Sequence, residues 1–385
     1  MYERVLESRV QSIRRSVLVL GPRQVGKSTL LHRLQPDKVV DLASPMVFGR
    51  YIAHPEELEA ELAAAPPRVR TVLIDEVQKV PALLDVVQVF SDRQPDRFRF
   101  LLSGSSARKL RRGKANLLPG RVITLPMHPL LAVELRDDFD VDRSLAHGAL
   151  PAVYAETDPV ERGGLLRSYA NTYIREEVQA EALVRDLGGF SRLLNLVAAT
   201  SGRILNVSAL AQDAGIRFDS ARRFVGVLED TLVAFLVPAW RGSDRASLIA
   251  HPRVFLFDVG VRNALLGRPL DRPLPDERGY LLEHLVAHEI HSRLGELWPE
   301  AALYHFRTKA GAEVDFVIEA DRELWAIEVK ASRSVSARDL TGLRAMADRL
   351  DAVKRKTVVY LGQYPQLIDG IEVLPIEGFL SELPN

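Results

Sequence analysis

SVLVLGPRQVGKST, residues 16–29, decides the fold of the first part of this chain. An apolar run, Ser16 to Leu20, enters a turn that matches G-x4-G-K-[ST] in full, and a helical stretch from Ser28 to Leu34 leaves it. Strand, glycine-rich turn and helix in that order are what a polyphosphate requires. Gly21 and Gly26 let the backbone wrap closely, so that with Pro22 shaping the turn the N–H groups of Arg23, Gln24 and Val25 and the helix N-terminus face an anion. Lys27 reaches the β- and γ-phosphates, Ser28 ligates Mg²⁺, and Thr29 continues the binding segment. The expected ligands are therefore ATP and Mg²⁺.

Outward from this turn, short apolar runs recur: KVVDL (residues 38–42), TVLID (71–75), RFLLSG (99–104) and RVITLP (121–126). Helical patterns separate most of them, which predicts a parallel sheet covered on both faces. Pro126 and Pro129 mark an exit near residue 135. Asp75, at the end of a buried strand, is placed to hold the metal through water, and Glu76 to polarise the attacking water. Another strand ends at Ser103-Gly-Ser105, and Ser103 or Ser105 is the expected γ-phosphate sensor. From Arg97 to Arg121 there are eight basic residues and no acid. Arg121 or Arg108 as an arginine finger, in cis or from a neighbouring subunit, a phosphate-backbone contact for nucleic acid, and a solvated basic loop are the three readings of that stretch.

The middle of the chain is helical from about Pro159 to Thr200, with Leu193, Leu194, Val197 and Ala198 marking a buried face. Ser208 is the expected N-cap of a short helix ended by Gly215, and Asp219 that of a second helix running to about Thr231. With the apolar strand of residues 232–237 behind them, the two read as a winged helix–turn–helix. The last third is α/β: a helix over 280–294, then strands over 313–319, 324–330 and 357–362, with a helix around 340–350 before the last.

In that last third, Glu328 and Lys330 share one face of a strand, because side chains alternate. Asp315 is expected opposite them, and Glu283 on the preceding helix as a fourth group. Val314, Phe316, Ile327 and Val329 are expected to face the other way. Carboxylates converging with a lysine make an oxygen-rich Mg²⁺ site, or else a hairpin with a cross-strand salt bridge. The spacing of His284, His288 and His291 on the helix can present a metal face, but they do not form a zincin motif and read as structural or solvent-facing.

Composition excludes more than it assigns. The 51 basic and 51 acidic side chains cancel, so nucleic-acid or membrane binding must come from a local patch. With no cysteine, disulfide frameworks, thiolate zinc sites and thiol nucleophiles are out. No signal peptide or run of about 20 apolar residues is present, so a soluble cytoplasmic protein with no membrane partner is expected.

Several segments together resemble the bacterial and archaeal AAA-type ATP-binding family with a C-terminal domain of unknown function. They are GPRQVGKST, TVLIDEVQKVP, LLSGSS, LLPGRV with Arg121, GALPAVY, SYANTYIREEV, VFLFDVGVRNALLG, GYLLEHLVAHEI and EVDFVIE with AIEVKAS. The resemblance covers nearly the whole chain. It implies an α/β, ASCE-type P-loop ATPase domain over 1–135, a helical linker and winged helix over 136–252, and a PD-(D/E)xK nuclease-like domain over 253–385. On that pattern Glu283 is the helix acid, Asp315 the strand acid, and Glu328 and Lys330 the E-x-K pair. GALP carries Ala149 where relatives often have a second glycine. The reading is a Mg²⁺-dependent ATPase coupled to a DNA-binding or DNA-cleaving module, in an oligomer if the finger acts across subunits. The alternative is an ATP-controlled switch that binds a protein partner without cleaving nucleic acid.

Overall fold

Five parallel strands organise the first part of the chain: β1 (Ser16–Leu20), β2 (Lys38–Asp41), β3 (Thr71–Asp75), β4 (Arg99–Gly104) and β5 (Val122–Pro126), in the spatial order β2-β3-β4-β1-β5. All five residues of β1 are buried, as a central strand covered on both faces demands. The helix Leu83–Arg93 shows how the covering is built. Leu83, Leu84, Val86, Val87 and Phe90 fall on its buried side at helical spacing. The computed structural model describes residues 2–105, 118, 120–173, 186–241, 248–294 and 297–384. It divides into a first unit, Met1–Leu130 with Asp230–Val233, and a second, Leu131–Glu229 with Ala234–Asn385.

In the second unit, the helix Leu187–Ala199 buries Leu193, Leu194, Val197 and Ala198 completely. The helix Val207–Ala214 follows, and its N-cap is Asn206, whose side chain accepts from the Ala209 amide at 3.0 Å. Ser208 therefore lies inside the first turn rather than at the cap. Gly215, with φ 64°, ends the helix in the left-handed conformation. The next helix begins at Phe218, so Asp219 too sits within a first turn. A two-stranded antiparallel ribbon, β6 (Ala234–Val237) and β7 (Arg253–Leu256), comes after.

A six-stranded mixed sheet completes this unit: β8 (Ala302–Arg307), β9 (Glu313–Ala320), β10 (Glu323–Lys330), β11 (Val353–Tyr360), β12 (Gln366–Ile368) and β13 (Ile371–Pro375), ordered β12-β13-β11-β10-β9-β8. Leu145, Phe235, Phe255 and Val259 join Leu282, Val286, Phe316, Ile327 and Phe379 in one core that draws residues from both sides of position 252. The other face of the sheet packs on Leu340, Leu343 and Met346.

The β8–β9 register shifts between Tyr304 and Phe306, which inserts one extra residue in β9 around Asp315. Phe316 and Ile318 belong to one core layer, whereas Val314 joins Val317 in the opposite one. This corrects the expectation that Val314 shares a face with Phe316, Ile327 and Val329. No helix among the described residues is long and apolar enough to cross a membrane.

Candidate functional site

Backbone conformation builds the first site. A Cβ on Gly21 would stand 2.2 Å from the Met127 carbonyl oxygen, so only glycine fits where β1 leaves the sheet. Gln24 and Gly26 take φ of 60° and 98°, and the helix Lys27–Arg33 begins immediately after. Arg4 donates to the Val25 carbonyl and, at 2.7 Å, to that of His128, which fixes the outer side of the turn. Lys27 is buried, its ammonium donating to Gly21 O at 2.9 Å and Pro22 O at 2.8 Å.

The Ser28 hydroxyl donates to Asp75 Oδ1 at 3.0 Å, joining the turn to the tip of β3. This hydroxyl–carboxylate pair beside positive-φ glycine backbone suits a magnesium-bound triphosphate, and its donor chemistry fits the implied group. Asp75 also accepts from Ser103 Oγ, while the same Ser103 oxygen accepts from the Glu76 amide at 2.9 Å. A hydroxyl has one proton. In this structure Ser103 gives it to Asp75, so the residue orients both acids rather than reaching a phosphate as a sensor would. Glu76 itself is held at φ 59°, an unusual conformation for a non-glycine residue. Its Oε2 accepts from Gln78 Nε2 at 2.6 Å, and the same Nε2 lies 3.0 Å from Ser105 Oγ. Gln78 was not foreseen. Its place three residues after Asp75, on the short turn Val77–Lys79, is the only signal the sequence carried.

Of the eight basic residues, the structure describes Arg97, Arg99 and Arg121. Arg121 pairs with Asp92 through Nε and Nη2, the longer contact being 3.0 Å. Val122 aligns with Ser16 at the start of β1, whereas the phosphate turn follows Leu20 at its end. At about 3.3 Å per residue, Arg121 lies roughly 15 Å down the sheet from that turn. In cis it cannot serve as a finger. Arg97 donates to the carbonyls of Val69, Ala65 and Pro66, and Arg99 to those of Val10 and Arg15. These arginines tie the sheet's N-terminal end together. Arg108, Lys109, Arg111, Arg112 and Lys114 lie outside the described residues.

The second unit carries the acidic cluster. Asp315 Oδ2 accepts from the Val329 amide at 2.9 Å, and Lys330 donates to Glu328 Oε1 at 2.6 Å. Glu328 Oε2 is buried with no hydrogen-bond partner. Burial, reinforced by the nearby Asp315 charge, pushes the Glu328 carboxyl up to about 8 and that of Glu283 up to about 7. Burial lowers the Lys330 pKa, but Glu328 outweighs it and the net shift is upward.

Glu283 does not meet Asp315 directly. The buried Arg253 guanidinium donates to Glu283 Oε2 and, at 3.1 Å, to the Asp315 carbonyl, and it stands 3.7 Å from Asp315 Oδ1. Among the described residues no group of three or more histidine, aspartate or glutamate side chains is close enough to hold a metal ion. The expected convergence of three carboxylates is thus replaced by two acids, Asp315 and Glu328, and a third paired with arginine. An orphaned, buried carboxylate oxygen on Glu328 fits a hydrated Mg²⁺ that keeps several of its waters. Two of the helix histidines are held by structural contacts: His284 Nε2 lies 2.6 Å from Leu256 O, and His291 stacks on Phe235 with centroids 4.1 Å apart.

Three family models match successive parts of the chain. Residues 13–136 match the family model described as an AAA domain, residues 138–272 a domain of unknown function (DUF8612), and residues 278–379 a domain of unknown function (DUF4143). Uncharacterised proteins of Mycobacterium tuberculosis and Mycobacterium bovis are each 25% identical over 380 residues, spanning 95% of this chain and 81% of theirs. Among solved structures, a Thermotoga maritima RuvB variant is 17% identical, with a TM-score of 0.26 over 60% of this chain and 85% of its own. A Vibrio cholerae protein is 14% identical, with a TM-score of 0.22 over 96% of both chains. The AAA-domain match spans Gly21 to Thr29, Asp75, Glu76 and Ser103.

Proposed function

We propose that this chain is a Mg²⁺-dependent ATPase whose second unit processes or binds nucleic acid. The observation that carries the reading is the 3.0 Å contact from Ser28 to Asp75, which assembles both metal-holding groups at the end of the phosphate turn. Backbone amides of residues 23–29 cradle the phosphates, and Lys27 leaves its two carbonyl partners to neutralise the β/γ oxygens. Ser28 and Asp75 hold Mg²⁺, which supplies charge neutralisation when bound. Glu76 orients the attacking water, with Ser103 on its amide and Gln78 on its carboxylate fixing the direction of approach. Arg121 serves as a finger only across a subunit boundary, which requires an oligomer.

In the second unit, Asp315 and Glu328 hold a divalent ion and Lys330 positions the water or stabilises charge during phosphodiester cleavage. The helix pair Val207–Ala214 and Phe218–Asp230 with the β6–β7 ribbon is a winged helix that contacts DNA. The alternative is a protein partner bound under ATP control, without cleavage of nucleic acid.

Calorimetry with ATP tests the first claim, and Lys27→Ala should abolish the heat of binding and the hydrolysis. Hydrolysis at the wild-type rate in that variant would overturn it. DNA affinity measured against salt separates the partners, because phosphate contacts impose a steep loss and a protein-binding surface does not.

A further inference from the structure

We infer that Arg253 is a built-in cation of the carboxylate centre: it withholds Glu283 from metal coordination, so that Asp315 and Glu328 take a single divalent ion. The inference rests on the metal reading of this centre and deepens it. Arg253 opens β7, is 4% exposed, and is fixed on every side. Its Nε donates to Gly202 O at 2.6 Å, Nη1 to Asp315 O at 3.1 Å, and Nη2 to Glu283 Oε2. The rings of Phe255 and Phe316 lie 5.3 and 5.4 Å from its guanidinium carbon. A planar fork held by three acceptors and two aromatic walls is preorganised and pays little to stay. Removing it would leave Glu283 charged, buried and unpaired, which is costly.

Charge balance gives the stoichiometry. With all three carboxylates ionised, as in a metal-bound centre, the ion pairs here join Glu283, Asp315 and Glu328 to two cations (Arg253, Lys330), leaving one negative charge uncompensated. One divalent ion changes that to a single positive charge. Two would leave three positive charges in a largely buried space, where repulsion is poorly screened. The position of the remaining need is also specific: the oxygen without a partner is Oε2 of Glu328, and Glu283 Oε2 is already engaged by the guanidinium.

The test counts bound Mn²⁺ by electron paramagnetic resonance on the full, nucleotide-free chain, with circular dichroism to verify folding. Glu328→Gln should remove one ion from the wild-type count. Glu283→Gln should keep that ion, weakened by no more than about tenfold, since it removes a nearby negative charge but no ligand. Arg253→Gln, if folded, should bind Mn²⁺ at least about tenfold more tightly, because a nearby positive charge has gone. If Arg253→Gln does not fold, the Glu283→Gln comparison decides. Loss in Glu283→Gln equal to that in Glu328→Gln, or two ions removed by Glu328→Gln, would overturn the inference while leaving a metal centre standing. No Mn²⁺ removed by Glu328→Gln would overturn both, with the ATPase reading untouched.

Discussion

Replacing Gly148 by alanine should cripple the second unit, and the structure supplies the size of the effect. Gly148 ends the helix Val141–His147 with φ 70° and ψ −157°, a region that is nearly exclusive to glycine and costs other residues about 1–3 kcal/mol. An added Cβ would stand 2.1 Å from Asp258 Oδ1 and 2.4 Å from Oδ2. That carboxylate is buried and accepts from the Val261 amide at 2.9 Å and the Ala149 amide at 2.8 Å. Displacing it forfeits two charge-assisted bonds, each about 1.5–3 kcal/mol. Together these reach about 4 kcal/mol or more, a large part of a typical domain stability of about 5–15 kcal/mol. Trp240, Trp298 and Trp325 are the only tryptophans and all lie in the second unit, so urea unfolding followed by tryptophan fluorescence reads this unit alone. Ala149→Gly is the control. Ala149 is not among the positive-φ positions, so the change should cost less than about 1 kcal/mol. A Gly148→Ala protein within about 1 kcal/mol of wild type would refute the reasoning.

Ser103→Ala should lower ATP hydrolysis on the order of 10²-fold by releasing Asp75 and the Glu76 amide, while ATP binding changes only a few-fold. Steady-state rates beside calorimetry check this, and an equal loss in binding would count against it. Asn206→Ala should destabilise the second unit by about 1 kcal/mol, whereas Ser208→Ala should leave it nearly unchanged, both by tryptophan fluorescence. Burial holds the His284 pKa down near 4, against an unfolded value of 6.5. Between those values the unfolded chain binds the extra proton, so this residue's stabilisation is present above pH 6.5 and lost as pH falls toward 4. The stability difference between wild type and His284→Gln should therefore shrink by up to about 3 kcal/mol across that window. A pH-independent difference would show that His284 is not buried as a neutral ring.

Much of this molecule was legible before folding because the relevant physics is local. A fully buried parallel strand must be a continuous apolar run, and SVLVL, TVLID and RFLLSG became β1, β3 and β4 at the expected residues. The acids Asp75 and Glu76 follow from their place at a strand's end. Caps were less legible, since Asn206 and Ser208 both flank the same helix start and only backbone geometry chooses between them. The strands β8, β12 and β13 are not legible in the sequence, because edge and near-edge strands show no continuous apolar run; β12 leaves Leu367 73% exposed.

What the sequence by itself determined is the phosphate turn, its strand-to-helix setting and the residue types of both acidic centres, because wrapping an anion requires specific residues at neighbouring positions. What tertiary structure decided is every relation between residues distant in the chain. It put Arg121 at the opposite end of β1 from the turn, spent the Ser103 proton on Asp75, and set Arg253 between Glu283 and Asp315. Strand order, a one-residue register shift and a buried guanidinium arise from packing the whole chain, and no local pattern encodes them.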